Sequence, residues 1–281
     1  MARKAFYLTI ILAVVTLGFA GLMGQPGPLQ PDTDLNGFQR PIFALYFATS
    51  LNDLHFITGA EGAALRQHLM RLQAIDTWFP LAYGGMAMAF FLALGVRGSR
   101  AAWLGLGLAA FTIGADWAEN DAANRVLAGM EPVVCEQLAG APAGQELCLT
   151  LDSQSMGSGP HVNPDDVYSA GQQHREHVVG EALADLGLLT WIKWGAIALY
   201  AAVFGAIMAL AGRKLLAAFP ILAAFGVAAS WSSGADPAVF NWANQLLVPF
   251  MLTFPVAAVM YLRAKDESAE GDDESAGEGE A

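Results

Sequence analysis

Apolar residues along the chain collect in long runs that are separated by short polar segments. A run of about 18 or more apolar residues predicts a membrane-spanning helix, because that length is needed to cross the hydrocarbon layer. Runs of this length lie near residues 6–24, 78–96, 101–118, 191–211, 215–233 and 242–262. The pattern therefore predicts an all-α integral membrane helical bundle with about six transmembrane helices.

The first run follows Arg3 and Lys4, a pattern that signal peptides share with uncleaved first helices. The residues after it, Leu22 to Pro26, offer no small-x-small cleavage site, so we expect an anchor that is not removed. The apolar stretch 42–51 is too short to cross a membrane. It predicts an interfacial or re-entrant piece.

Basic residues indicate the orientation of the bundle. The short segments 1–5, 97–100 and 212–214 hold six Lys and Arg residues, a much higher density than in the longer segments at the other helix ends. Because cytoplasmic loops concentrate basic residues, both termini are predicted to lie in the cytoplasm. Segments 25–77 and 119–190 are then external, and the localisation is an inner (plasma) membrane.

The first external segment contains an amphipathic pattern between Glu61 and Ile75. Leu65, Leu69 and Leu72 fall on one stripe with Ile75, while polar residues that include Arg66 and Gln73 fall elsewhere. We expect a helix that lies along the membrane surface and leads into the second span.

The second external segment is rich in Gly, Pro, Ser and Asp up to about Gly171 and is predicted to be a loop. From Gln172 onward a helical pattern resumes and is expected to continue into the fourth span. Cys135 and Cys148 both lie in the loop, and in an oxidising compartment they are expected to form a disulfide. A metal site is less favoured because the spacing is not CxxC.

Composition agrees with a membrane protein: 55% of the residues are hydrophobic and the mean hydropathy is +0.41. The net charge of −12 argues against a nucleic-acid partner and leaves the lipid bilayer as the expected environment. Residues 266–281 carry eight acidic and no basic side chains. Residues 1–265 are thus predicted to form the membrane domain, and 266–281 a disordered cytoplasmic tail that could dock a protein partner.

Polar residues gather near the external ends of three predicted spans. Asp116, Glu119 and Asn120 share one helix face, and at 1.5 Å per residue Asp116 lies about 24 Å above Arg100. Asp76 and Lys193 fall at a similar depth on their own helices. One interpretation is an outward-facing site that binds a ligand or carries protons. The other is an ion pair that fixes the helix register.

A second polar pattern places His174, His177 and Glu181 on one helical face. Imidazole and carboxylate groups are metal ligands, so these residues are weak candidates for a metal site. The alternative is a solvated helix start. The sequence has no glycine-rich phosphate loop, dinucleotide fingerprint or CxxCH haem motif, and no cofactor is expected.

The motifs resemble those of a largely uncharacterised group of small bacterial multi-pass membrane proteins. The matching features are Asp76 with Phe79 and Tyr83 in one helix, the DxxEN motif of Asp116, Glu119 and Asn120, and Lys193 at the start of the next helix. The resemblance covers roughly residues 42–211. Tyr46-Phe47 stands where that group has phenylalanine-glutamate, and residues 120–171 form a longer loop. The resemblance implies a membrane bundle and these site positions, but no activity.

Three functional hypotheses follow from the sequence. The first is an accessory or structural membrane protein with an outward-facing polar site. The second is a transporter or ion-coupled carrier that uses Asp116, Glu119 and Lys193. The third is a membrane-embedded enzyme, with a metal as one option. The sequence does not indicate a small-molecule ligand.

Overall fold

A computed structural model describes most of the chain. Backbone and side chains are described for residues 1–24, 27–29, 33–58, 62–130 and 177–264. For residues 135–137, 146–148, 164–176 and 265–277 the description covers the backbone alone.

Helices make up nearly all of the described chain. They are α1 (Ala2–Met23), α2 (Pro41–Tyr46), α3 (Ala63–Asp76), α4 (Phe79–Val96), α5 (Arg100–Gly129), α6 (Pro164–Leu210), α7 (Lys214–Ser232), α8 (Pro237–Gln245) and α9 (Leu247–Gly277). A 3-10 helix, Leu51–Ile57, lies between α2 and α3, and strands β1 (Cys135–Gln137) and β2 (Glu146–Cys148) pair antiparallel between α5 and α6. Within the described residues six helical stretches are long and apolar enough to cross a membrane. The predicted all-α bundle of about six transmembrane helices is confirmed.

The six long helices close into a ring. α4 packs between α1 and α5, α6 packs between α5 and α7, and α9 completes the ring between α7 and α1. Phe90, Phe204 and Phe254 point to its centre, where their ring centroids lie 4.5–5.4 Å apart. All three side chains are fully buried, and we call them the aromatic core. Offset and tilted rings at this spacing attract one another beyond their burial.

Basic residues meet at one end of the ring, which we call the basic end. The Arg97 guanidinium lies 4.9 Å from the centre of the Phe6 ring, and Arg213 lies 4.3 Å from the Tyr261 ring. The connections α4–α5 and α6–α7 therefore lie at the same end, as an alternating bundle requires. The other end carries α2, α3 and the adjoining parts of α5 and α6 around Gly129 and Val179, and we call it the loop end.

The loop predicted from Asn120 onward is wrong at its start, since α5 continues without a break to Gly129. The reason is a stripe of small and apolar residues beyond the polar motif that is fully buried: Ala122, Ala123, Val126 and Leu127. This stripe packs against α6, which starts at Pro164. The helix pattern predicted from Gln172 does run unbroken into the fourth span. The two helices thus pack against each other beyond the DxxEN motif, and we call this part the outer α5–α6 hairpin.

The amphipathic helix predicted near residues 61–75 forms as α3, but its polar residues are not all exposed. Arg66 and Gln73 are buried, contrary to the predicted pattern. Arg66 donates a hydrogen bond to the carbonyl of Ile57, and Gln73 donates to the hydroxyl of Tyr46. Because it packs against α1, α5 and the 3-10 helix, α3 is part of the bundle.

The short apolar stretch near residues 42–51 does not cross the bundle. It divides into α2, which begins at Pro41, and the start of the 3-10 helix. Ser50 and Asp53 form a reciprocal capping box that fixes the start of that 3-10 helix. As a result Tyr46, the last residue of α2, is held inside the loop end with only 3% of its surface exposed.

Two further predictions concern parts of the chain that are described by backbone alone. Cys135 and Cys148 are direct partners in the β1–β2 register. Their side chains lie outside the described residues, so the disulfide stays a prediction. The acidic tail, predicted to be disordered, continues α9 as a helix to Gly277. Its Ala and Glu residues favour helix once a preceding long helix has nucleated it.

Candidate functional site

The centre of the candidate site is Lys193, which projects from α6 into the interior of the bundle. Its Nζ lies 3.2 Å from Oδ1 of Asp116 and donates a hydrogen bond to Oε2 of Glu119. The exposed fractions of the three side chains are 8%, 4% and 0%. Glu119 and Asp116 reach the same ammonium group because residues three apart share one face of α5.

Asp116 is held from a second helix as well. The hydroxyl of Tyr83, on α4, donates a hydrogen bond of 2.5 Å to Oδ2 of Asp116. Both carboxylate oxygens are therefore engaged, one by Lys193 and one by Tyr83. Short hydrogen bonds from a hydroxyl to a carboxylate are the stronger, charge-assisted kind. Asp116 thus joins α4, α5 and α6 at one point.

Asp76 belongs to a second set of contacts that is organised by Tyr46. The Tyr46 hydroxyl lies 3.2 Å from Oδ2 of Asp76 and 3.3 Å from Oδ1 of Asn120, and it accepts a hydrogen bond of 3.1 Å from Gln73. Burial, with the nearby charge of Asp76, raises the pKa of Tyr46 well above its usual value. Tyr46 therefore remains a protonated donor at physiological pH.

The two sets of contacts adjoin. The Nζ of Lys193 lies 5.0 Å from the centre of the Tyr46 ring and 5.7 Å from that of Trp194, within the range of cation–π attraction. We call the five residues Asp76, Asp116, Glu119, Asn120 and Lys193 the polar cluster. All are buried, with exposures of 0–7%. A single ammonium group therefore faces three carboxyl groups inside the protein.

This charge balance is unfavourable as it stands. A buried carboxylate is costly unless a positive charge or several hydrogen bonds compensate it. One lysine can balance one carboxylate, so two negative charges remain if all three acids are ionised. Uptake of a proton or binding of a cationic group relieves this excess.

Several buried polar atoms beside the polar cluster lack a hydrogen-bond partner within the described residues. They are Oε1 of Gln73, Nε1 of Trp194 and the hydroxyl of Tyr200. Buried polar groups without partners are uncommon in proteins and cost free energy. Their concentration here marks a place where water or a ligand can supply the missing partners.

A cavity of about 240 Å³ opens beside the polar cluster. Asp76, Asp116 and Lys193 line its polar wall together with Tyr46 and Tyr83. The remaining lining is mostly apolar and comes from α1, α2, α6 and α9, with single residues from α3, α4 and α8. The cavity gives the cluster room for a bound group, which a purely internal ion pair does not need.

The five residues that the sequence singles out at similar depth thus lie together. Sequence reasoning missed Tyr46, Tyr83, Gln73 and Trp194, which complete the site. Aromatic residues in an apolar run are indistinguishable from ordinary core residues, and Gln73 follows the polar side of an amphipathic helix. Tyr46 and Tyr83 both fall in segments compared in the sequence analysis, but hydropathy and spacing do not separate either of them from a core residue.

The weak metal candidates do not lie near this site. His177 and Glu181 are exposed at the start of the described side chains of α6 and are 3.5 Å apart. The side chain of His174 lies outside the described residues. Where side chains are described, no group of three or more His, Cys, Asp or Glu is arranged to hold a metal ion.

Comparison with known proteins identifies no family for this chain. No protein-family description, curated protein or solved structure matches the chain. The chemistry of the polar cluster therefore has to carry the functional argument.

Proposed function

We propose that this chain is a multi-pass inner-membrane protein, with both termini in the cytoplasm, that binds a positively charged group at the polar cluster, as a carrier or a receptor does. The observation that carries the proposal is that three buried carboxyl groups face one ammonium group beside a cavity, which two of the three carboxyl groups, those of Asp76 and Asp116, line. A proton or a cationic ligand supplies the missing charge. Because cytoplasmic ends of membrane helices concentrate basic residues, we expect the basic end in the cytoplasm and the cluster on the outward side.

A structural role for the cluster is the second candidate, and one observation favours it. Lys193 contacts both Asp116 and Glu119, so the pair joins α5 to α6 at their centre. This explains two of the carboxyl groups. It does not explain why Asp76 is buried nearby, or why the cavity reaches the cluster. The described residues give no comparable support for the hypothesis of a metal-dependent enzyme.

Infrared spectroscopy of the protein in lipid nanodiscs separates the two roles. In protein prepared without a cationic ligand, the missing charge has to come from a proton on at least one carboxylic acid, and the carbonyl stretch of that acid is resolved from the stretch of ionised carboxylates. We expect this band to be present, to shift within minutes of transfer to D₂O, and to be lost or reduced in Asp76→Asn.

The control is Asp185→Asn, which removes a half-exposed carboxylate from the outer part of α6. It should leave the band unchanged. If the cluster has only a structural role, its buried acid proton is closed off from water and does not exchange with D₂O. If the band is absent, or if it resists exchange in the folded protein, the proposed binding role is wrong.

A further inference from the structure

We infer that the cavity binds a membrane amphiphile with a positively charged amine, and that this molecule enters sideways from the bilayer between α1 and α9. The inference rests on the proposed function, because it names the chemical class of the cationic group. It adds the route and the apolar part of the ligand, neither of which follows from the polar cluster.

The route is indicated by which helices line the cavity. Leu17 on α1 and Val248 on α9 both line it, and they are 46% and 55% exposed on the flank of the bundle. Nearer the basic end the same two helices are in close contact, where Phe6 stacks on Tyr261 at 5.4 Å. The cavity therefore reaches the flank near the loop end, where a spanning helix meets lipid.

The walls between this entrance and the polar cluster suit a hydrocarbon chain. Ile197 of α6 and Leu247 and Met251 of α9 are apolar, and Met side chains adapt to irregular shapes. A volume of about 240 Å³ lies below the roughly 300–1,000 Å³ of pockets that enclose a whole drug-sized molecule. It accommodates a head group with the first part of a chain, while the rest of the chain stays in the bilayer.

The charge of the head group follows from the buried side chains. Asp76 and Asp116 line the cavity, and Glu119 lies behind Lys193, so the buried charge is negative. Arg40 also lines the cavity, but it is exposed at the loop end, where water screens it. An amine is therefore favoured over a hydroxyl, and a carboxylate or phosphate is disfavoured.

Photo-crosslinking tests the inference directly. The protein in nanodiscs is labelled with a dodecylamine that carries a diazirine in its chain, and unlabelled dodecylamine, dodecanol and dodecanoate compete. We expect dodecylamine to compete at a concentration at least about tenfold lower than dodecanol, with dodecanoate weakest. Labelled peptides should come from α1 and α9.

Bulky substitutions at the entrance test the route. Leu17→Trp and Val248→Trp should abolish labelling, because the larger side chain fills the gap between the helices. The matched controls are Val14→Trp and Leu252→Trp, which place the same indole on exposed positions of the same helices outside the cavity lining. They should label like the unaltered protein.

Three results overturn the inference. Labelling that persists in both entrance variants excludes the lateral route, and equal competition by dodecanoate excludes recognition of an amine. Absence of competable labelling excludes the amphiphile itself. In each case an exchanging carboxylic acid band in the infrared spectrum leaves the proposed function in place, whereas its absence removes both.

Discussion

Replacing Lys193 by methionine removes the ammonium group and preserves most of the length of the side chain. Its charge lies 3.2 Å from Asp116, which corresponds to about 5 kcal/mol of attraction at an effective dielectric constant of 20. Desolvation of the lysine opposes this gain, so the net value of the pair is smaller. Breaking a buried pair on one side costs more, about 3–5 kcal/mol, because the other charge is left uncompensated. We expect that loss of unfolding free energy in Lys193→Met.

Removing the partner charge should restore part of the loss. In Lys193→Met/Glu119→Gln one stranded carboxylate is gone, and we expect a recovery of about 2 kcal/mol relative to Lys193→Met. The assay is reversible unfolding in mixed micelles of sodium dodecyl sulfate and dodecyl maltoside, followed by circular dichroism. The unaltered protein, Lys193→Met, Glu119→Gln and the double variant form a double-mutant cycle.

The bundle contains a matched control for burial. Arg125 and Asp185 form an ion pair of 3.0 Å between the same two helices, but their side chains are 46% and 54% exposed. Water screens this pair, so Arg125→Met should cost less than about 1 kcal/mol. If Lys193→Met costs no more than Arg125→Met, burial does not govern the cluster, and the charge argument fails.

The remaining predictions address the core, a helix contact and acid stability. Phe254→Ala empties part of the aromatic core and should cost about 3–5 kcal/mol in the same unfolding assay, whereas Leu252→Ala on the exposed flank should cost under about 1 kcal/mol. At Gly129 a Cβ atom would lie 2.5 Å from Cγ2 of Val179, so Gly129→Leu should lower stability by about 1–3 kcal/mol and increase amide exchange in the outer α5–α6 hairpin. Partial burial alone would raise the pKa of Asp53, but hydrogen bonds from Thr49 and Ser50 outweigh it and lower the pKa. The stability that these hydrogen bonds contribute is fully present above the unfolded pKa of about 3.9, and it is lost as the pH falls through the lower pKa of the folded protein. The melting temperature should therefore depend less on acid pH in Asp53→Asn than in the unaltered protein.

Local patterns predicted the long helices, because hydropathy and the rise of 1.5 Å per residue depend on near neighbours alone. The same arithmetic placed Asp116 and Lys193 at similar depths. Prediction from local patterns failed where packing between distant segments determines the length of a helix. α5 continues past Glu119 because Val126 and Leu127 are buried against α6, and the start of α6 is far along the chain.

The polar cluster shows the same limit at the level of side chains. Tyr46 contacts Asn120 across 74 positions of sequence, and Tyr83 contacts Asp116 across 33. Neither tyrosine carries a local mark that separates it from a core aromatic residue. The sequence therefore predicts which charges need partners, while the partners themselves depend on how three helices and α2 come together.

The position of the aromatic core bears on the choice between carrier and receptor. On α6, Tyr200 and Phe204 follow Lys193 toward the basic end, and both are fully buried. Phe204 and Phe254, with centroids 4.5 Å apart, close the centre of the ring beneath the cavity. A carrier has to part these rings and rewet them in order to release its ligand toward the basic end, which costs the burial free energy of at least two aromatic side chains. A receptor that admits its ligand from the flank and returns it there leaves the aromatic core intact. Because the cavity meets the bilayer between α1 and α9 and stops above the closed rings, binding without passage is the simpler use of this architecture.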